Sequence, residues 1–294
     1  MASPLHRPWG ARPAPSASAT LLVSAIVLLV AIPGAAWSGT HAVHVLLTDP
    51  VLAILAALLA TATTVPYAAL LLWFDRHEQE PFWLLTASFL WGATAATGVA
   101  LVLNDAVTAL GELATGDHDT AVRFTIVFAA PLVEESLKAT ALVVLLAWFR
   151  EHLDGVLDGV VYGTLVGLGF AWFENVLYYV AAGTEGPTAM LGLAWVRGVV
   201  SGVGSHATFT GLTGVGVGLA RIARDRWVRV AAPAVGFAAA IVAHVVWNVY
   251  SGEILDAFGG GPATLLVGAP LAAILLQAPF LSILLVVMGL TWRH

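Results

Sequence analysis

The sequence contains no cysteine, and charged residues make up only 10% of its 294 positions. The absence of cysteine excludes disulfide bonds, thiolate metal ligands and cysteine nucleophiles, and it leaves the redox compartment open. Lysine is nearly absent as well, because Lys138 is the single lysine among 12 basic residues. The formal net charge of −6 is modest and gives no indication of a nucleic-acid partner.

Hydrophobic residues make up 59% of the chain, and the mean hydropathy is +0.89. This composition is typical of a polytopic membrane protein. Residues 1–19 are rich in proline, serine and alanine and are predicted to form a disordered cytoplasmic tail, whereas residues 20–294 form one transmembrane domain. The first apolar run could also be a signal peptide, because basic residues precede it and small residues end it. The apolar runs predict an all-α polytopic membrane helical bundle of about eight transmembrane helices, at residues 21–37, 51–74, 82–103, 123–149, 158–181, 199–220, 229–251 and 263–290.

The distribution of arginine predicts how these spans are oriented. The loops after spans two, four and six carry arginine, and so do both terminal tails. The loops after spans one, three, five and seven carry neither lysine nor arginine, apart from Arg123 at a boundary. By the positive-inside rule, both termini are therefore predicted to be cytoplasmic.

Two carboxylates and an ammonium interrupt the fourth span, at Glu134, Glu135 and Lys138. Each would cost roughly 2.5–3.5 kcal/mol at the centre of a membrane helix if it were left unpaired. Glu134 and Lys138 are four residues apart and can pair on one helix face, whereas Glu135 points about 100° away, towards another partner. Such a cluster indicates a functional site, and the alternative is a structural ion pair that fixes helix contacts.

Further polar residues lie inside three later spans, namely Glu174, His206, His244 and Asn248. At about 1.5 Å per residue, Glu174 and the two histidines lie roughly 10 Å below the outer surface, and Glu134 lies roughly 16–18 Å below it. These groups are therefore predicted to converge in the outer half of the bilayer. Carboxylates and imidazoles can bind a divalent metal or activate water, and either chemistry suits peptide-bond hydrolysis.

Arg197 and two series of glycines constrain how these spans pack. Arg197 precedes His206 by nine residues, about half a turn away on a continuous helix, so joint action requires a break or a re-entrant segment. Glycines spaced by four allow neighbouring helices to approach closely. They occur in the fifth span at Gly155, Gly159, Gly163 and Gly167, and in the sixth at Gly198, Gly202, Gly214 and Gly218.

Four motifs resemble those of the PrsW family of intramembrane proteases, which belongs to a wider group with CAAX-type prenyl-protein peptidases and APH-1-like proteins. Residues 131–138 resemble the family's double-glutamate helix, and residues 170–175, preceded by 158–163, resemble its second motif. Residues 197–206 and 244–248 resemble the third and fourth motifs, and residues 75–81 resemble a further family feature. The resemblance implies a multi-pass enzyme of a prokaryotic plasma membrane that cleaves membrane-spanning proteins, such as anti-sigma factors, within the lipid bilayer.

The resemblance leaves two versions of the mechanism open. In the metal version, Glu174, His206 and His244 hold a zinc ion. Glu134 or Glu135 deprotonates the water bound to that ion. In the metal-free version, Glu134 activates water directly, and His244 and Asn248 donate to the developing oxyanion. Lys138 could keep a glutamate ionised in either version.

Two readings without proteolysis remain. The polar residues could form the core of a non-catalytic scaffold, as the APH-1-like resemblance permits. They could also form an ion relay in a transporter, although the sequence shows no internal repeat of the kind that many transporters have.

Overall fold

The computed structural model describes residues 16–77 and 80–291. The predicted tail lies outside these residues, apart from its last part, where the first helix begins at Ala17. All regular structure in the described ranges is helical, which confirms the all-α prediction. The helices are α1 (Ala17–Thr48), α2 (Pro50–Phe74), α3 (Phe82–Thr115), α4 (residues 118–148), α5 (Val156–Glu185), α6 (residues 187–200), α7 (residues 203–222), α8 (Arg226–Asp256) and α9 (Gly261–Leu290).

Aspartate side chains begin several of these helices by accepting hydrogen bonds from free backbone N–H groups. Asp49 Oδ1 accepts from Leu52 N at 3.0 Å at the start of α2, and Asp225 Oδ1 accepts from Trp227 N at 2.8 Å at the start of α8. Asp158 Oδ2 accepts from the backbone N of Gly155 at 2.7 Å at the start of α5.

Six of the described helices, α1, α2, α3, α5, α8 and α9, are long and apolar enough to cross a membrane. The two other predicted spans lie on α4 and α7. The charges of Glu134, Glu135 and Lys138 interrupt the apolar character of α4, and the α-helical part of α7, Thr208–Ile222, is only 15 residues long. The polytopic helical architecture is therefore as predicted, and the two deviating helices carry Glu134, Glu135 and Lys138 (α4) and His206 (α7).

The loop predicted after the third span was wrong over most of its length, because residues 104–115 are helical. Helix α3 continues through Thr115, because no residue before Gly116 breaks the helix. Gly116 then adopts a φ of 70°, which ends α3 in the left-handed conformation. Asn104 consequently lies on a helix of the bundle, and it reaches the polar cluster described below.

The glycine stripes were predicted to let neighbouring helices approach closely, and the structure brings the stripe of α5 into backbone contact with that of α7. A Cβ atom added at Gly159 would overlap the carbonyl of Gly214, and the converse also holds. A Cβ atom at Gly167 would overlap the carbonyl of His206. The close approach of these helices therefore fixes the height of His206 relative to α5, which carries Glu174.

Candidate active site

Lys138 is fully buried and binds the two adjacent glutamates of its own helix. Its Nζ lies 2.8 Å from Glu135 Oε1 and 3.5 Å from Glu134 Oε2. The sequence predicted Glu134 as the partner, whereas the structure makes Glu135 the nearer one, because residues three and four apart both face each other on a helix. The ammonium also donates to His206 Nδ1 at 2.9 Å and lies 3.8 Å from the ring centroid of Phe170.

The hydrogen bonds around His206 determine its tautomer. An ammonium can only donate, so Nδ1, which faces Lys138, accepts the hydrogen bond. The other ring nitrogen, Nε2, lies 3.0 Å from Glu174 Oε2 and donates to that carboxylate. His206 is therefore a neutral imidazole with its lone pair on the Nδ1 side and its N–H on the Glu174 side.

His244 has an equivalent arrangement with a different carboxylate. Its Nδ1 lies 3.1 Å from Glu135 Oε1 and donates to it, so the lone pair of the neutral ring is on Nε2. Glu135 Oε2 accepts a further hydrogen bond from Thr210 Oγ1 at 3.0 Å. The His244 ring stacks on Phe209 with centroids 5.0 Å apart, so one face and one edge of the ring are held in place.

The lone-pair nitrogens of the two histidines converge on Glu134. Oε2 of Glu134 lies 3.9 Å from His206 Nδ1 and 3.9 Å from His244 Nε2. One ligand atom from each of these three buried residues lies within 4.8 Å of the others. Ligands that bind zinc tetrahedrally at about 2.0–2.1 Å are about 3.4 Å apart, so small side-chain movements would close this group around one ion.

The donor set also has the chemistry that a metal requires. Two neutral imidazoles and a carboxylate are the ligands of several catalytic zinc sites. Each imidazole donates its other N–H to a carboxylate, Glu174 for His206 and Glu135 for His244, as metal-ligating histidines usually do. The residues therefore fit a divalent metal. For His206 Nδ1 to bind it, the hydrogen bond from Lys138 to that nitrogen must break.

Glu174, which the sequence predicted as a metal ligand, lies on the Nε2 side of His206, outside the group of three. Its carboxylate binds the guanidinium of Arg197, which also donates through Nε to Asn175 Oδ1 at 2.9 Å. Arg197 and His206 thus share one carboxylate, which a continuous helix would not permit. The required break is present: α6 ends at residue 200, and in the first turn of α7 Ser205 has a non-helical φ of −88° and ψ of −126°.

A cavity of about 470 Å³ adjoins the cluster. Glu134, Glu174, His206 and His244 line it, whereas Glu135 and Lys138 do not. Asn248 also lines it, and its Nδ2 donates to the backbone carbonyl of Ile126 at 2.8 Å, which ties α8 to a π-helical turn of α4. A reacting group in the cavity therefore has access to Glu134 but not to Glu135.

Sequence reasoning missed two contacts of this site. Thr210 binds Glu135, and its position four residues after His206 on the glycine-lined face was the available signal. Asn104 donates through Nδ2 to Glu134 Oε1 at 3.3 Å, and no sequence pattern indicated it, because its segment was predicted to be a loop.

Comparison with known proteins identifies the family. The sequence profile of the PrsW family intramembrane metalloproteases matches residues 80–282, which include every polar residue of the cluster. The chain belongs to this family. It is 30% identical over 169 residues to Protease PrsW of Bacillus subtilis, which covers 56% of this chain and 70% of the relative. It is also 30% identical over 176 residues to Protease PrsW of Geobacillus kaustophilus, which covers 56% of this chain and 68% of that relative. No solved structure matches the chain.

The resemblance drawn from the four motifs is thereby confirmed. The chain is an intramembrane protease and a multi-pass prokaryotic membrane protein. The family is a metalloprotease family, and the group of Glu134, His206 and His244 is a possible site for its metal.

Proposed function

We propose that this intramembrane protease hydrolyses peptide bonds of membrane-spanning proteins with a zinc ion held by Glu134, His206 and His244. The observation that carries the proposal is the convergence of Glu134 Oε2 on the two lone-pair nitrogens, at 3.9 Å from each. This assignment makes Glu134 the carboxylate ligand in place of Glu174, which was predicted for that role. Glu174 and Glu135 orient the two imidazoles instead.

Zinc in such a site supplies a water of near-neutral pKa and polarises the scissile carbonyl. The protein residues supply the rest of the chemistry. Glu174 and Glu135 hold His206 and His244 in the tautomers that direct their lone pairs towards Glu134. Arg197 holds Glu174 in turn, and its side chain lies at the edge of the cavity, where it adds positive charge.

The substrate in this proposal is a segment of a membrane-spanning protein that has been locally unwound. The cavity lies among helices of a membrane bundle, so the substrate enters from the lipid. A volume of about 470 Å³ accommodates a short stretch of extended chain but not an intact helix, which is about 10 Å across. Local unwinding also exposes the peptide bond that is to be hydrolysed.

Zinc content measured by mass spectrometry on detergent-purified protein tests the metal site without a known substrate. We expect about one zinc per wild-type chain and loss of the metal in His206→Ala and Glu134→Gln. Glu174→Gln should retain a site whose affinity is about 10- to 100-fold weaker, because it removes only an orienting carboxylate. Glu253→Gln, an exposed carboxylate on the same helix as His244, serves as the matched control.

The opposite pattern would restore the roles predicted from sequence. If Glu174→Gln abolished zinc binding and Glu134→Gln kept it, Glu174 would be the ligand and Glu134 the base. If the folded wild-type protein bound no divalent metal under chelator-free conditions, the direct activation of water by Glu134 would replace the zinc mechanism.

A further inference from the structure

Two polar atoms in the cavity wall are buried and have no hydrogen-bond partner. They are Oδ1 of Asn104, on α3, and Oγ of Ser201, at the break between α6 and α7. Within the described residues, they are the only buried side-chain atoms in this condition that belong to residues lining the cavity. Buried polar side-chain atoms are nearly always hydrogen-bonded, because leaving one unpaired is costly, so each calls for an explanation.

The contacts of Asn104 show which of its two amide atoms remains unused. Its Nδ2 donates to Glu134 Oε1 at 3.3 Å. A carboxylate only accepts, so a flipped amide would place two acceptors together. Oδ1 is therefore the unused atom, and it can only accept a hydrogen bond.

Ser201 offers the complementary group. Its backbone N–H donates to Val196 O at 2.9 Å, and its carbonyl accepts from Ser205 N at 3.0 Å, so the backbone is already engaged. The hydroxyl is not, and only 2% of the Ser201 surface is exposed. It is thus a free donor in the same cavity wall that presents the free acceptor of Asn104.

The backbone of an unwound substrate offers the complementary groups, an N–H donor and a C=O acceptor. Backbone N–H and C=O groups that lose their helical partners within a membrane cost several kcal/mol each unless the enzyme pairs them. We propose that Asn104 and Ser201 form a subsite for the substrate backbone, in which Asn104 Oδ1 accepts from a peptide N–H and Ser201 Oγ donates to a peptide carbonyl. The inference rests on the proposed zinc site, because the probes below are anchored there.

Three hydroxamates test the subsite by calorimetry on the zinc-loaded full-length protein in detergent. Acetohydroxamate binds the metal but has no peptide backbone beyond it. N-acetyl-leucyl-leucine hydroxamate adds two peptide groups, and its analogue with N-methylated internal amides lacks their N–H donors. In the wild type we expect the dipeptide to bind more tightly than acetohydroxamate and N-methylation to weaken it about 5- to 10-fold.

The variants separate the two proposed contacts. In Asn104→Leu the penalty for N-methylation should disappear. In Ser201→Ala the dipeptide should bind about 5- to 10-fold more weakly while acetohydroxamate binds as in the wild type. Thr213→Val, which removes a buried unpartnered hydroxyl outside the cavity, should bind all three probes like the wild type.

The outcomes distinguish this inference from the proposed function. If acetohydroxamate does not bind the wild type and no zinc is present, the zinc site fails. If acetohydroxamate binds but N-methylation costs as much in Asn104→Leu as in the wild type, and Ser201→Ala binds the dipeptide normally, the subsite is refuted while the zinc site stands. If Asn104→Leu loses its zinc through Glu134, the Ser201→Ala result alone decides.

Discussion

Replacing Lys138 by methionine should destabilise the bundle strongly. The change removes the ammonium but keeps an unbranched side chain of similar length. Lys138 is fully buried and contacts Glu135 at 2.8 Å, Glu134 at 3.5 Å and His206 at 2.9 Å. Its removal leaves two adjacent carboxylates in a site of low polarity with no neighbouring ammonium.

Breaking a buried ion pair by removing one partner costs about 3–5 kcal/mol, because a charge is left uncompensated. In a chain of this size, that loss lowers the unfolding midpoint by roughly 5–20 °C. Tryptophan fluorescence during a thermal scan in detergent with a chelator measures the shift. The double variant Glu135→Gln/Lys138→Met should recover much of the loss, because it removes a negative charge together with the positive one.

Two further measurements make the reasoning open to refutation. Arg226→Met, which removes an exposed basic side chain, should leave the midpoint nearly unchanged. Zinc should stabilise Lys138→Met more than it stabilises the wild type, because the ion brings positive charge to the same carboxylates. A scan in which Lys138→Met and wild type coincide without metal would show that the pair contributes nothing to stability.

Two other predictions concern the helix packing that positions the site and the pKa of Glu80, a carboxylate between α2 and α3. Gly167→Ala should lower the unfolding midpoint and weaken zinc binding, because the new Cβ would overlap the carbonyl of His206. Gly252→Ala is the control, because a Cβ there enters open space and should change neither property. Thermal scans and zinc titrations of both variants test this prediction. Burial, opposed by a hydrogen bond from Tyr162 and reinforced by nearby carboxylates, raises the pKa of Glu80 from 4.5 to about 7. The folded state therefore binds the proton of Glu80 more tightly than the unfolded state does. The contribution of this group to the free energy of unfolding is complete below pH 4.5 and is lost as the pH rises through 7. Glu80→Gln should flatten this part of a plot of the unfolding midpoint against pH, and an unchanged plot would contradict the assignment.

Helix packing could be predicted from the sequence because it follows from residue spacing. Glycines four apart mark one helix face, and the stripes of α5 and α7 meet as that rule requires. The break before His206 was also inferred, as a condition for Arg197 and His206 to act together, and the structure contains it. Periodicity thus identified faces that pack closely, though not which helices pair, and it identified the need for a break before His206.

The assignment of roles within the site could not be predicted in the same way. Spacing and depth placed Glu134, Glu174 and the histidines in one region, but they do not determine which ring nitrogen faces which carboxylate. That depends on ångström-scale positions of four helices relative to each other. The contact between Asn104 and Glu134 was not predicted for another reason. The end of a hydrophobic run was taken as the end of the helix, whereas a helix can extend beyond the membrane.

The charges of the cluster explain why the site favours a cation over a passive structural role. Three carboxylates, Glu134, Glu135 and Glu174, face two permanent cations, Lys138 and Arg197. The hydrogen bond from Lys138 makes the His206 imidazole neutral, and with a neutral His244 the cluster would carry one negative charge within a membrane bundle. A purely structural network would gain stability by removing that charge, since an unbalanced buried charge is costly. The excess lies at Glu134, whose contact with Lys138 is the longer one, and there the two imidazole lone pairs also converge. One negative charge and two neutral donors at a single point match the donor set of a cation site, and a divalent ion would satisfy all three at once.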